Sequence, residues 1–306
     1  MPDERPKLVI ITGPTAAGKS SLAVDLAIKF GGEIINADSM QVYRGMDVGT
    51  AKPSIEERRG IIHHMIDVVD PDEDFNASVY RTLAGFIIKE ITERKKICFV
   101  VGGTGLYIKT LLGGLFKCPS VDGGIREELI RECEEIGLAH LHKRLKRLDP
   151  ESAKKIHPND KTRIIRALEI IKVANKPLSA MILQHGFKDR AFRAIKICLQ
   201  IDREQLYNRI NERVLSMIES GLVEETMSLL SKGYSPELRS MKSIGYRHVI
   251  GHLEGICSLE RTILQIQRDT RRYSKRQLTW FRADPEMVWA EPVDRHFIEK
   301  KIKKFV

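Results

Sequence analysis

Residues Gly13-Pro14-Thr15-Ala16-Ala17-Gly18-Lys19-Ser20 fill every fixed position of the phosphate-loop pattern G-x-x-x-x-G-K-[ST]. The apolar run Lys7–Thr12 ahead of it predicts a buried strand, and residues 21–29 behind it predict a helix. Strand, glycine loop and helix in that order turn the pattern into a mechanism. Loop N–H groups and the positive end of the helix then converge on phosphate oxygens. Lys19 adds a point charge, and the Ser20 hydroxyl is the expected ligand of a magnesium ion. The bland alternative, a glycine turn with a chance lysine, does not account for both flanking elements. Whether the phosphates are transferred, hydrolysed or expelled is not written in the loop.

Other candidate groups also follow predicted strands. Asp38 ends the short apolar run 33–37. Beside a phosphate loop such a carboxylate is a magnesium ligand, a general base or a turn cap, and spacing leaves all three open. Thr104 follows Gly102-Gly103, which let backbone approach a ligand closely. It is a hydrogen-bonding group for a phosphate or leaving-group oxygen, or else a turn residue. Downstream, Arg163 and Arg166 share one face of a predicted helix. Ser243-Ile-Gly-Tyr-Arg247 sets an arginine beside a glycine. Lys275-Arg276-Gln-Leu-Thr-Trp280-Phe281-Arg282 interleaves cations with aromatic rings, as a nucleic-acid surface does. The competing reading of that segment puts its aromatic residues, Phe281 above all, in the core.

These groups need a scaffold that brings strand ends together. The first hundred-odd residues alternate strand and helix: after the loop helix come a strand at 33–37, a short helix opened by the capping box Ser54–Glu57, a helix at 76–94 and a strand at 97–101. Such alternation predicts an α/β domain, a parallel sheet flanked by helices. Its ligands gather at the carboxyl ends of the strands, where Gly13–Ser20, Asp38 and Thr104 all fall. From Val121 to Arg190 the chain instead predicts charged helices at 126–136, 138–148, 161–174 and 178–185, the third capped by Asn159 or Asp160. A strand resumes at 194–201, so residues 121–190 read as an all-helical insertion between core segments 1–120 and 191–306. Asp202 opens a long helix whose Leu206, Ile210, Val214, Met217 and Ile218 form a core face. More helices lead to about Arg282, followed by a strand at 287–290 and a terminal helix.

Composition narrows the partners. The 306 residues are 42% hydrophobic and 30% charged, ordinary for a globular protein, and no apolar run approaches the length that spans a bilayer. Residues 1–6 carry acids and lead straight into the first strand, so no secretory leader and a cytoplasmic location are expected. Cys98, Cys118, Cys133, Cys198 and Cys257 are dispersed, which argues against a zinc site or a disulfide framework. The net charge of +10 favours an anionic partner. It is concentrated in two places, His142–Lys143-Arg144-Leu-Lys146-Arg147 with the cations up to Arg166, and Arg261–Arg282. Two basic surfaces suit an extended polyanion better than a metabolite.

The segments GPTAAGKS, NADSMQVYRGMDVGTAKP, FVVGGTGLYIKTLL, IHPNDKTRIIRALEI, SIGYR and KRQLTWFR occur in the order seen in bacterial-type tRNA dimethylallyltransferases, which the chain resembles from about Leu8 to Arg282. The resemblance implies a P-loop NTPase-like core. It also implies transfer of a dimethylallyl group from dimethylallyl diphosphate to the exocyclic amine of the adenosine 3′ of the anticodon, in tRNAs reading codons that begin with U. By that resemblance Asp38 is the base, Lys19 and Thr104 act on the leaving diphosphate, and Gly13–Ser20 with Arg247 bind it. Ser39, Met40 and Gln41 meet the target nucleotide together with Asp38 and Thr104. Arg126, Thr162, Arg163 and Arg166 contact tRNA from the insertion, and Lys242, Gly245, Tyr246, Arg247, Lys275, Arg276, Trp280 and Arg282 from the core domain. The implied cofactor is Mg2+ on Ser20, the implied partner the anticodon stem-loop, and a monomer is expected. A P-loop small-molecule kinase explains the site but not the basic surfaces. A GTP-dependent switch needs N-K-x-D, whereas Asn175-Lys176-Pro177-Leu178 lacks the aspartate. Prenylation of free adenine nucleotides leaves the helical insertion without a role.

Overall fold

The computed structural model describes residues 3–116, 123–187 and 189–306; Cys118 and the expected insertion start at Val121 lie outside them. The strands are β1 Lys7–Thr12, β2 Gly32–Asn36, β3 His63–His64, β4 Ile97–Val101, β5 Arg193–Leu199 and β6 Met287–Ala290. The helices are α1 Lys19–Phe30, α2 Ile55–Arg58, α3 Ala77–Glu93, α4 Gly105–Gly113, α5 Gly123–Ile136, α6 Leu138–Leu148, α7 Pro150–Lys155, α8 Lys161–Ala174, α9 Leu178–His185, α10 Arg203–Glu219, α11 Leu222–Ser231, α12 Tyr246–Leu253, α13 Leu259–Arg282 and α14 Arg295–Phe305. The chain divides into two compact units, residues 1–112 with 190–306, and residues 113–189.

The first unit is built on one parallel sheet in the order β3-β2-β4-β1-β5-β6. Side chains alternate across a strand, and β1 shows the consequence. Leu8 and Ile10 enter the core beneath α3, α12 and α13, while Val9 and Ile11 enter the core shared with α1 and α14. Both faces are covered, which is why the strands read as unbroken apolar runs. The two-residue β3 escaped sequence reading because it is too short to show a period. In α3, Tyr80, Ala84, Ile88 and Ile91 are buried, whereas Phe86 and Leu83 are exposed. Tyr80 stacks on Tyr107 of α4, 4.3 Å between centroids, and that contact selects the face.

The second unit packs α5, α6 and α8 around Leu129, Leu141, Leu145, Ile164, Ile165 and Leu168. Asp160, rather than Asn159, caps α8 by accepting from the Arg163 N–H. The short α7 was not anticipated. It is opened by Asp149 with Pro150 in the first turn. The buried Asp149 carboxylate accepts from Ser152 N–H and Oγ and from Ser179 N–H and Oγ, at 2.6–3.0 Å. Burial works against its charge, but these donors hold it below the usual carboxylate range.

Candidate active site

The phosphate loop joins β1 to α1. Gly13 runs so close to the end of β5 that a Cβ there would lie 2.7 Å from the Leu199 carbonyl oxygen. Gly18 sits at the N-cap of α1 with φ 81°, a left-handed conformation that glycine adopts without steric cost, and no side chain caps the helix. First-turn N–H groups are thereby left for an anion. Lys19 is half-buried and its Nζ donates to the Pro14 carbonyl at 2.7 Å, so the ammonium is folded over the loop.

The ends of β2 and β4 supply the opposite wall. Ala37 donates to the Val101 carbonyl at 2.7 Å, and Thr104 donates back to the Ala37 carbonyl at 3.1 Å. Gly102 lies between, where a Cβ would stand 2.2 Å from the Ala37 oxygen. Thr104 Oγ1 accepts from the Ser39 N–H at 3.0 Å, and Asp38 Oδ1 accepts from the Met40 N–H at 2.8 Å. Asp38 therefore does cap its turn through one oxygen. Its carboxylate also lines a cavity of about 80 Å³ with Thr15, Lys19, Ser20, Gln41 and Gly102. An adjoining groove of about 610 Å³ shares Lys19 and Ser20.

Two polar cavity residues, Arg213 and Tyr273, fall in no quoted segment, and a third, Gln277, stands unmarked inside Lys275–Arg282. Arg213 projects from α10 into both spaces, while Tyr273 and Gln277 reach the cavity from α13. Helical spacing is the one available signal. Arg213 adjoins the core residue Val214, and Gln277 lies three and four residues from the buried Ser274 and Phe281. Burial pushes the Lys19 ammonium down to about 8, and Arg213 adds to the effect; Asp38 pulls the other way. Burial likewise lowers Arg213, against the attraction of Asp38 and Glu57. Burial and the nearby Asp38 raise the Tyr273 phenol, which stays neutral. Within the cavity lining, two desolvated cations and a helix N-terminus thus meet one carboxylate, Asp38, while Glu57 lies in the adjoining groove. Such a cavity favours a multiply charged anion.

The segment after Asp38 is fixed from several directions. The buried Gln41 donates to the Thr50 and Ala51 carbonyls, both at 3.1 Å. Lys52 is buried between Asp47 and Asp67. Glu225 of α11 accepts from the N–H groups of Asp47, Val48 and Gly49, and from Tyr246 Oη at 2.5 Å. The long motif therefore encodes a folded loop.

Other predicted residues lie outside the cavity lining. Arg247 is exposed and pairs with Asp269 at 2.6 Å, alongside Arg268, Arg272 and His248. Tyr246 is fully buried and Gly245 is also buried, so in this structure they form framework rather than surface. The physical reason is the Tyr246 ring seated on Gly49, where a Cβ would meet it at 2.5 Å. Lys242 is exposed and pairs with Glu237. Met40 is half-buried against the core. Along α13, Lys275, Arg276 and Arg282 are exposed while Phe281 is 2% exposed. Trp280 is 42% exposed; its ring covers Gly105, and the Lys109 ammonium lies 6.0 Å from the ring centre. In the helical unit, Thr162 and Arg163 are exposed. Arg126 and Arg166 each donate at 3.1 Å to the buried carboxylate of Glu169.

Residues 41–284 match the family model "IPP transferase", and residues 6–68 match "Isopentenyl transferase". A tRNA dimethylallyltransferase of Geobacter sulfurreducens is 53% identical over 93% of this chain and 92% of its own length. The crystal structure of a tRNA isopentenylpyrophosphate transferase from Bacillus halodurans is 40% identical, with a TM-score of 0.72 over 98% of both chains. A eukaryotic dimethylallyltransferase captured acting on tRNA is 31% identical, with a TM-score of 0.80 over 94% of this chain and 75% of its own.

Proposed function

The chain belongs to the IPP transferase family, and from that premise we propose that it prenylates tRNA, moving a dimethylallyl group from dimethylallyl diphosphate to N6 of the adenosine 3′ of the anticodon. The acceptors are tRNAs that read codons beginning with U. The observation that carries the chemistry is the pair of desolvated cations, Lys19 and Arg213, beside the uncapped N-terminus of α1 and across from one carboxylate, Asp38. The cations and loop amides suit a diphosphate; the carboxylate suits the incoming amine.

An adenine amine is a weak nucleophile because its lone pair is delocalised into the ring. As N6 bonds to C1 of the dimethylallyl group, the C1–O bond breaks and Asp38 takes the amine proton. Lys19, Arg213 and the loop N–H groups stabilise charge developing on the departing diphosphate, and Thr104 hydrogen-bonds at the junction between donor and acceptor. The donor set also fits Mg2+. Among the described residues there is no cluster of carboxylate, histidine and cysteine ligands, but the Ser20 hydroxyl is exposed beside the cavity. Magnesium is held mostly by substrate phosphates and water, with few protein groups. Held by Ser20, and with Asp38 lining the same cavity, it would neutralise diphosphate charge.

A base stacked in an anticodon loop cannot reach such a cavity, so the adenosine is extruded, at about a few kcal/mol. Contacts from Arg126, Thr162, Arg163 and Arg166 in the helical unit, and from Lys275, Arg276, Trp280 and Arg282 in the sheet unit, offset that cost and position the RNA. No helix among the described residues is long and apolar enough to cross a membrane. We take the protein to work as a cytoplasmic monomer. The test is nucleoside mass analysis of tRNA incubated with the protein and dimethylallyl diphosphate. Isopentenyladenosine is the expected product; prenylated AMP in the absence of modified tRNA would overturn the acceptor assignment.

A further inference from the structure

Gln277 sits on the buried face of α13 and is 5% exposed. Its Oε1 accepts from the Thr15 N–H at 2.9 Å, and its Nε2 donates to the Gly103 carbonyl at 3.0 Å. The first partner belongs to the phosphate loop after β1, the second to the turn after β4. A backbone donor on one side and a backbone acceptor on the other fix the orientation of the amide, which supplies both roles at any pH. Space is fitted to it as well, since a Cβ on Gly103 would lie 2.1 Å from Nε2. The glycine expected to admit a ligand admits Gln277 instead. From Gly103 the connection runs on to Thr104, which bonds Ser39 next to Asp38.

We propose that Gln277 is a positioning residue that holds the donor loop and the Asp38–Thr104 wall in register for prenyl transfer; this rests on the reading given above. With the Thr15 N–H committed to Gln277, binding of the diphosphate falls to the amides from Ala16 onward. A register error between the two walls displaces the C1 carbon from the amine without weakening either substrate's own contacts. The cost therefore falls on the chemical step. Misplacement by about 1 Å is enough to lose about 100-fold in rate.

The experiment compares wild type with Gln277→Met, which fills the space and loses both bonds, and Gln277→Glu, which keeps the Thr15 acceptor. Single-turnover rates are measured at saturating tRNA and dimethylallyl diphosphate, well below each protein's Tm, with the KM for each substrate and the Thr15 amide NMR signal. For Gln277→Met the rate should fall about 10- to 100-fold with both KM values within about twofold. Its Thr15 amide should shift to a solvent-exchanging position, and Gln277→Glu should retain that signal with an intermediate rate. A folded Gln277→Met protein with wild-type turnover overturns the proposal, as does a loss that only follows the unfolded fraction. If Gln277→Met does not fold, a Gln277→Glu protein with wild-type rate overturns it. Wild-type protein that does not prenylate tRNA sinks the underlying reading, and the clamp is then decided by the Thr15 amide alone.

Discussion

Desolvation of Lys19 sets a pH limit on donor binding. The ammonium is folded against the Pro14 carbonyl, has Arg213 as a like-charged neighbour, and is held at about 8 where an exposed lysine titrates at 10.5. The sign runs against the usual lysine case. The folded value lies below the unfolded one, so as pH rises from 8 the folded protein sheds this proton before the unfolded chain does. In the free enzyme about half of Lys19 is charged at pH 8 and about one tenth at pH 9. Because kcat/KM reports the free enzyme, kcat/KM for dimethylallyl diphosphate should fall about tenfold per pH unit above 8, with tRNA held well below its own KM. Bound diphosphate raises the lysine again, so kcat should stay flatter over the same range. NMR titration of the Lys19 side-chain nitrogen gives the midpoint independently. A midpoint near 10.5, or kcat/KM that stays level to pH 9.5, would refute the argument from burial. Lys19→Ala sets the floor: it should lose donor affinity at every pH and show no such limb.

Other expectations follow from single contacts. Asp38→Ala should lower the single-turnover rate by about 100- to 10,000-fold while tRNA binding, followed by filter retention, is kept; near-normal turnover removes the base role. Arg163 is exposed and free of the Glu169 pair, so Arg163→Glu should raise the KM for tRNA and flatten its salt dependence at unchanged Tm. Arg166→Glu should also lower stability, by about 2 kcal/mol, because it strips one of two cations from a buried carboxylate. Asp149→Ala should destabilise the helical unit by about 2–4 kcal/mol through the donors of buried Ser152 and half-buried Ser179 left without partners, as read by chemical denaturation. The Asp149 carboxyl is depressed, so its contribution is full above the ordinary 3.8 and disappears as pH falls through its lower folded value.

Local signals carried much of the architecture. The apolar runs of β1 and β4 were legible because both faces of each strand are buried, and the caps Ser54, Asp160 and Asp202 because a cap bonds within three residues of itself. Contiguous motifs gave Gly13–Ser20, Asp38 and Thr104 for the same reason: each follows directly on a strand. Motif membership did not distinguish contact from support. Tyr246 and Gln41 both belong to quoted segments, yet Tyr246 is buried on Gly49, and Gln41 holds the Thr50–Ala51 turn as well as lining the cavity. Both look polar and available on paper.

By itself, the sequence determined a phosphate loop in its strand–helix setting, an α/β core with a helical interruption, and a cationic chain suited to a polyanion. Tertiary structure alone decided which distant side chains complete the cavity. Arg213 comes from α10, and Gln277 reaches Thr15 across 262 positions of chain. It also decided that Arg247 faces Asp269, and that burial and Arg213 draw the Lys19 ammonium below the ordinary lysine value. The physical reason is common to all of these. Helix and strand periods are set by near neighbours, whereas desolvation and pairing depend on what the fold brings alongside, and that is not encoded in spacing.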